Sequence, residues 1–201
     1  VGKNVRVDIP VVADAKNALA ALAKEVGPKP RGEWNEKVAA WKKDYPLRYI
    51  PDMNVIKPQY VIEKLCEIAP EAIITTEVGQ NQMWAAQYYK FTKPRTLLTS
   101  GGLGTMGYGL GAAIGAKMGR PEKTVVNIAG DGCFRMNMNE VATAARYNIP
   151  IIQVVVNNHV LGMVRQWQNL FYGQRYSATV LNDAVDFVKL AEAMGAKAVR
   201  A

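Results

Sequence analysis

One carboxylate and one amide in this sequence stand where they could hold a metal ion together. Asp131 lies in a Gly-Asp-Gly turn directly after the strand-like run TVVNIA, and Asn158 lies in the Asn pair that follows the strand-like run IIQVVV. An amphipathic helical pattern separates the two strands. Because the carboxyl ends of parallel strands meet at one edge of a sheet, the spacing predicts that Asp131 and Asn158 lie side by side.

The chemistry of this pair favours magnesium. Mg²⁺ takes about six oxygen ligands, uses one or two protein carboxylates and completes its shell with phosphate oxygens and water. The glycines beside Asp131 permit close backbone approach, and a helix predicted to start near Arg135 would direct free N–H groups to the same place. Either motif alone, Gly-Asp-Gly or the Asn pair, is typical of a surface turn. The order of strand, GDG, helix, strand and NN makes a site for Mg²⁺ and a diphosphate the more specific interpretation.

A second motif allows a different ligand. Gly102 to Gly107 fits the dinucleotide pattern GxGxxG, follows the strand-like TLLT and precedes a helical pattern. A ribose would require an Asp or Glu at the end of a second strand about 20 residues on, and none is found there. Dinucleotide binding therefore stays a minor alternative.

Composition excludes several other classes. Lys and Arg exceed Asp and Glu by 25 to 17, but they are scattered, which indicates a solvated surface without a nucleic-acid or membrane partner. His159 is the only histidine, and Cys66 and Cys133 form no CxxC pair, so neither a two-His metal site nor a zinc or disulfide framework is indicated. No apolar run approaches the roughly 20 residues of a membrane span, and VGKNVRVDIP is no signal peptide. We expect a soluble, cytoplasmic protein.

The pattern divides the chain into three parts. Residues 1–30 combine a strand-like alternation over Asn4 to Val12 with a helix that Asp14 caps and Gly27 closes, as expected for the C-terminal end of a middle α/β domain. Residues 31–57 are a proline-rich linker around one amphipathic helix. Residues 58–201 form the main domain, truncated at its C-terminus.

Short apolar runs and helical periods alternate in the main domain. Strands are predicted at 72–75, 96–99, 124–129, 151–156 and from Lys197 onward, and helices at 58–68, 106–118, 136–147 and 183–194. Continuous apolar strands between helices indicate an α/β fold: a doubly wound parallel sheet with helices on both faces.

Five blocks of sequence, in this order, resemble the acetolactate synthase (acetohydroxyacid synthase) large catalytic subunit. They are Val78-Gly79-Gln80, QMWAAQ from Gln82, TSGGLGTMGYGL from Thr99, the unit from GDG to NN, and GMVRQWQNLFY from Gly162. The chain is identified as a member of this family through its C-terminal thiamine-diphosphate-binding domain. Gly111, where the family commonly has Pro, and Asn81, where it often has His, depart from the pattern near the cofactor.

The resemblance implies the residues of the site. Asp131, the Asn158 side chain and the backbone carbonyl of Val160 would bind Mg²⁺, and Met106 would be the bulky residue on which thiamine diphosphate folds. Core packing is the less favoured alternative for Met106. The residues implied to bind the cofactor are Val78, Gly79, Gln80, Asn81, Gly104, Met106, Gly130, Asp131, Gly132, Cys133, Asn158, Val160, Leu161, Gly162 and Met163.

A substrate channel is implied over the cofactor, lined by Met163, Val164, Trp167 and Phe171, although the same spacing suits any helix packed on a core. Met106, Met163 and Trp167 are the catalytic candidates of this chain. His159 is interpreted as a loop residue, and Cys133 has no base beside it in the sequence.

The implied activity is a transferase reaction of branched-chain amino acid biosynthesis. Pyruvate would be decarboxylated and its two-carbon unit joined to a second pyruvate or to 2-oxobutanoate. The family also binds FAD, works as a homodimer or tetramer with a regulatory small subunit, and takes its catalytic Glu from another domain, so the chain alone is not expected to turn over. Another thiamine-diphosphate decarboxylase or carboligase would share the metal pair.

Overall fold

The computed structural model describes residues 2–181 and 185–201, in two compact units, Val1–Pro46 and Leu47–Ala201. The first unit contains α1 (Ala15–Glu25) and α2 (Gly32–Asp44). The predicted cap of α1 is formed: the Asn17 N–H donates to Asp14 Oδ1 over 3.1 Å. The strand predicted over Asn4 to Val12 is wrong, because an alternating pattern becomes a strand only against a partner strand, and the described part of this unit offers none.

The second unit is built on one parallel sheet. Its elements are α3 (Pro58–Ile68), β1 (Ile73–Thr76), α4 (Gln80–Tyr88), β2 (Leu97–Leu98), α5 (Tyr108–Gly119), β3 (Val125–Gly130), α6 (Asp131–Asn137), α7 (Glu140–Arg146), β4 (Ile152–Val156), α8 (Gly162–Phe171) and α9 (Phe187–Ala193). The strands lie in the order β2-β1-β3-β4, and every pairing is parallel. The predicted fold class is thus confirmed.

Alternate residues of the strands pack against helices on opposite faces. Ile74 and Ile128 belong to one buried cluster, with Ile62 of α3 and Ala85 of α4. On the other face, Ile73 and Val125 pack with α5, while Ala129 packs with α5, α6 and α7. The near-continuous apolar strands follow from this double coverage, since both faces of each central strand are removed from water.

The strand order creates a switch point between β1 and β3. The chain leaves β1 through α4 toward β2, whereas it leaves β3 through α6 and α7 toward β4 in the opposite direction. Crossovers that diverge in this way leave a crevice at the carboxyl ends of the two strands, which is where open α/β sheets bind ligands.

Several predicted boundaries are corrected. The helix after β3 begins at Asp131 itself, one turn before Arg135, because Gly130 leads from the strand directly into α6. The helix predicted over 136–147 is two helices, α6 and α7, with a short irregularity at Met138 and Asn139 where the backbone stays near helical angles. No strand forms from Lys197, since residues 195–201 pair with no neighbour in the described sheet.

Other elements were missed or lie partly outside the described residues. Helix α4 was not predicted, because its sequence QNQMWAAQY has no apolar stripe of helical period. The residues that it buries are the polar Asn81 and the small Ala85. The start of the predicted helix at Asp183 lies outside the described residues. Among those that are described, no helix has the length and apolar character to cross a membrane.

Candidate functional site

Two sequence motifs meet at the switch point between β1 and β3. Val78 and Gly79 lie between β1 and the first residue of α4, Gln80, and the Gly-Asp-Gly motif spans the direct junction of β3 with α6. Gly79 has a φ of +124°, a backbone conformation that residues with a side chain rarely adopt, so this turn requires glycine. The crevice is therefore bordered at Gly79 by backbone that carries no side chain.

Asp131 is a buried carboxylate at the floor of this crevice. It is 1% exposed, and its Oδ2 accepts the N–H of His159 over 3.0 Å. Burial raises the pKa of Asp131 above its ordinary value, while the backbone N–H groups of Gly132 and His159 act in the opposite direction. A bound cation would compensate for the desolvation of this carboxylate.

Asn158 lies in the loop that Asp131 contacts. Its Oδ1 accepts the N–H of Val160 over 3.2 Å, so the loop turns back on itself beside the carboxylate. In the described part of the chain no three His, Cys, Asp or Glu side chains cluster as metal ligands. A metal here would bind one carboxylate and neutral oxygens, a set that suits Mg²⁺ completed by phosphate and water better than zinc.

Two glycines, Gly132 and Gly162, allow close packing where the loop of Asn158 and the start of α8 meet α4 and α6. A Cβ on Gly162 would lie 2.2 Å from Gln80 Oε1 and 3.3 Å from Asn158 Nδ2, and one on Gly132 would lie 2.5 Å from Leu161 Cδ2. The Gln80 amide in turn donates to Gln166 Oε1 over 2.8 Å. These contacts bring the segments that follow β1, β3 and β4 into one cradle.

A cavity of about 360 Å³ opens beside the cradle. Its lining residues are Gln80, Val160, Gly162, Arg165, Gln166, Asn169 and Tyr176. The Arg165 guanidinium lies 4.1 Å from the centre of the Tyr176 ring, in cation–π geometry. Val160, whose backbone carbonyl is a predicted metal ligand, and Gly162 thus border a space large enough for part of a cofactor.

Asn81 and Cys133 lie beneath the crevice. Asn81 is buried, and its amide donates to the carbonyls of Glu77 and Ile128 over 3.2 and 3.0 Å, which ties the ends of β1 and β3 together. The Cys133 thiol donates to the Val78 carbonyl over 3.0 Å, and burial raises its pKa to about 11. A thiol in that state is no nucleophile at neutral pH, in agreement with the lack of a base beside Cys133 in the sequence.

Met106 lies in the turn that precedes α5. Gly104 and Gly107, on either side of it, have φ angles of +65° and +89°, and Met106 itself is half-buried. The Gly104 N–H donates to the Ser100 carbonyl over 3.1 Å, which folds the glycine-rich segment into a compact turn. The strand before this segment, β2, has two residues and lies at the sheet edge, away from the switch point where a dinucleotide fold binds its ligand.

Glu77 is a residue of this region that sequence reasoning missed. It directly follows β1, is 1% exposed, and accepts the N–H groups of Gly107, Gly109 and Leu110 over 2.8, 2.9 and 3.3 Å. Burial raises its pKa, and the hydrogen bonds from the backbone of α5 oppose that rise. The sequence shows an acidic residue directly after an apolar strand, and this position was the available signal for Glu77. It does not reveal which backbone groups the carboxylate binds.

The proposed channel residues form an exposed apolar stripe on α8. Val164, Trp167 and Phe171 are exposed, Met163 is half-buried, and no residue of α8 is buried. The Trp167 and Phe171 rings stack with centroids 4.9 Å apart. The alternative was that these residues pack α8 against the core. Because none of them is buried, that alternative is disfavoured within the described unit.

A parallel sheet with this cradle at its switch point defines a class of cofactor-binding domain. The sequence profile of the thiamine pyrophosphate enzyme C-terminal TPP-binding domain matches residues 77–201, and the chain belongs to that family. Thiamine diphosphate is thus the cofactor of the fold, and the predicted family is confirmed.

Several acetolactate synthases are among the relatives of this chain. It is 49% identical to the probable acetolactate synthase large subunit of Methanocaldococcus jannaschii and 47% identical to the mitochondrial acetolactate synthase catalytic subunit of Saccharomyces cerevisiae, each over 100% of the chain. It is 45% identical to the acetolactate synthase isozyme 3 large subunit of Escherichia coli over 97% of the chain. The chain spans 36%, 30% and 35% of these three proteins, about a third of their length.

Proposed function

We propose that this chain is the thiamine-diphosphate-binding part of an acetolactate synthase. The full protein would decarboxylate pyruvate and join the two-carbon unit to a second pyruvate or to 2-oxobutanoate, the shared early step of branched-chain amino acid biosynthesis. The observation that carries the proposal is the identity of 45–49% to acetolactate synthases across essentially the whole chain, including every segment of the switch-point cradle.

In this proposal Asp131, the Asn158 side chain and the Val160 carbonyl hold Mg²⁺. The burial of Asp131 and its contact with the loop of Asn158 support the assignment, because a desolvated carboxylate beside neutral oxygens gains most from a divalent cation. The diphosphate would lie against the backbone of Gly79 and Gly132. The other cofactor contacts stay as predicted from the sequence: Val78, Gln80, Asn81, Gly104, Met106, Gly130, Cys133, Leu161, Gly162 and Met163.

When bound, thiamine diphosphate would supply the nucleophilic carbon that attacks the 2-oxo acid. This chain would supply the cradle, the Met106 support and the apolar wall of Met163 and Trp167 that excludes water and selects the second 2-oxo acid. A pocket wall of this kind distinguishes a methyl from an ethyl group by about 1–3 kcal/mol. The exposure of Trp167, 52%, fits a side chain that lines an open channel.

The remaining parts of the parent protein are also proposals. Residues 1–30 would end a middle domain that binds FAD, residues 31–57 would be a linker, and 58–201 would be the cofactor domain. The catalytic Glu would come from a separate domain across a subunit interface of a homodimer or tetramer, with a regulatory small subunit and a cytoplasmic location. The apolar residues exposed on α1 and at its C-cap, Leu19, Leu22 and Val26, suit a segment that packs against a larger domain.

The test is product analysis by mass spectrometry on the full-length protein with pyruvate, thiamine diphosphate and Mg²⁺. We expect acetolactate, lost in Asp131→Asn and kept in the matched variant Asp44→Asn, whose carboxylate is exposed on α2. Acetaldehyde as the main product would instead identify a decarboxylase. Activity of Asp131→Asn equal to that of the wild type would refute the metal assignment.

A further inference from the structure

The turn that carries Met106 is tied to the end of β1 by a buried carboxylate. Glu77 Oε2 accepts the N–H of Gly107, and its Oε1 accepts those of Gly109 and Leu110. A carboxylate that accepts backbone N–H groups forms charge-assisted hydrogen bonds, which are roughly twice as strong as neutral ones. The residue directly after Met106 is therefore fixed relative to the sheet.

A second side chain holds the same glycine from the other side. The Asn137 amide, at the end of α6, donates to the Gly107 carbonyl over 2.7 Å. A Cβ on Gly107 would lie 2.9 Å from Asn137 Nδ2 and 3.0 Å from Met136 Cβ. Both polar groups of Gly107 are thus bound, in a φ region that only glycine adopts readily.

We propose that Glu77 and Asn137 are positioning residues that fix the backbone of Met106 for its contact with thiamine diphosphate. This inference rests on the proposed function, and in particular on the role of Met106 as the support for the folded cofactor. A methionine side chain has three rotatable bonds and adapts to its surroundings, so it acts as a rigid support only when its backbone is held. Two hydrogen bonds to the adjacent Gly107 provide that restraint.

The competing explanation is that Glu77 only caps α5 and stabilises the fold. The two explanations predict different effects on the binding of thiamine diphosphate and of inorganic diphosphate. A cap that only stabilises the fold affects every ligand of the cradle equally, whereas a support for Met106 affects thiamine diphosphate but leaves the binding of inorganic diphosphate with Mg²⁺ unchanged. The proposed function assigns the diphosphate to the backbone of Gly79 and Gly132, at the ends of β1 and β3, and not to the turn before α5.

The experiment is isothermal titration calorimetry on the full-length apoprotein, with thiamine diphosphate and, separately, inorganic diphosphate, each in Mg²⁺. For Glu77→Gln, which keeps the shape and replaces an acceptor with a donor, we expect about tenfold weaker binding of thiamine diphosphate and unchanged binding of diphosphate. The control Glu122→Gln alters an exposed carboxylate and should change neither. Equal weakening of both ligands, or of neither, would overturn the inference.

A double-mutant cycle tests whether the effect passes through Met106. If it does, Glu77→Gln should weaken thiamine diphosphate binding less than about twofold in a Met106→Ala background. A full tenfold effect in that background would contradict the proposal. Failure of the wild type to bind either ligand would refute the proposed function and this inference with it, whereas normal binding by both Glu77→Gln and wild type would refute the inference alone.

Asn137→Ala provides an independent test that does not alter the buried carboxylate. It should reproduce the selective loss of thiamine diphosphate binding, by about fivefold for one neutral hydrogen bond. Asn139→Ala, two residues further on and exposed, is its matched control. The proposal fails if the two asparagine variants bind thiamine diphosphate equally.

Discussion

Two glycines of α5 should respond to alanine in opposite directions. A Cβ on Gly109 would lie 2.4 Å from Asn127 Oδ1, 3.0 Å from the backbone N of Glu77 and 3.0 Å from the carbonyl carbon of Thr76. The Asn127 oxygen cannot retreat freely, because it accepts the Thr75 hydroxyl over 2.9 Å within the sheet. A Cβ on Gly111, two residues further along the same helix, meets nothing within 4 Å.

The magnitude follows from these contacts. Overpacking costs about 1–3 kcal/mol, a disrupted buried hydrogen bond adds about 1–3 kcal/mol, and the better helix propensity of alanine returns about 1 kcal/mol. Gly109→Ala should therefore lower the free energy of unfolding by about 3 kcal/mol, a large part of a typical domain's stability. Gly111→Ala should raise it by about 0.5–1 kcal/mol.

Urea unfolding of the 201-residue chain, followed by far-ultraviolet circular dichroism, measures both effects. With a slope of about 2 kcal/mol per molar urea, Gly109→Ala should move the midpoint down by about 1.5 M, and Gly111→Ala should move it up slightly. The reasoning is refuted if the two variants shift the midpoint in the same direction, or if Gly109→Ala leaves it unchanged.

Three further outcomes are expected. Gly162→Ala should displace the flexible end of Gln80 and weaken thiamine diphosphate binding about tenfold in calorimetry, with little change in melting temperature; unaltered binding would contradict the cradle geometry. Iodoacetamide at pH 8 should label the partly exposed Cys66 before Cys133, whose thiol pKa is raised to about 11; mass spectrometry that finds Cys133 labelled first would contradict this order. Burial raises the pKa of Glu77, so the folded chain takes up a proton on acidification before the unfolded chain does. Wild-type stability relative to Glu77→Gln should therefore rise as the pH falls toward the ordinary carboxyl pKa of 4.5, and urea midpoints that fall relative to the variant on acidification would oppose this sign.

The sheet could be predicted largely from local pattern. Buried parallel strands are short apolar runs, and helix α3 has Pro58 at its first position and an apolar stripe, so both can be recognised without tertiary information. The strand predicted from the alternation over Asn4 to Val12 was wrong because local pattern alone does not supply a partner strand. A pattern of period two states which residues could share a face, but the strand forms only where a partner supplies its hydrogen bonds.

The candidate site divides in the same way. The motif around Asp131 and the asparagine pair was visible in the sequence, because each sits at the end of a strand and strand ends of a parallel sheet converge. The contact between Asp131 and the loop of Asn158 agrees with that expectation. The metal role of these residues stays a prediction until binding is measured.

The sequence by itself determined the four parallel strands, the family and the residues whose chemistry suits a metal ion. Only the tertiary structure decided that Glu77 holds the turn of Met106, that Asn81 joins two strand ends, and that a side chain on Gly109 would meet Asn127. The physical reason is the distance along the chain over which each effect acts. Propensity and periodicity act between neighbours in the chain, whereas a buried carboxylate finds its hydrogen-bond partners about 30 residues away, and only the packed strand order brings them within reach.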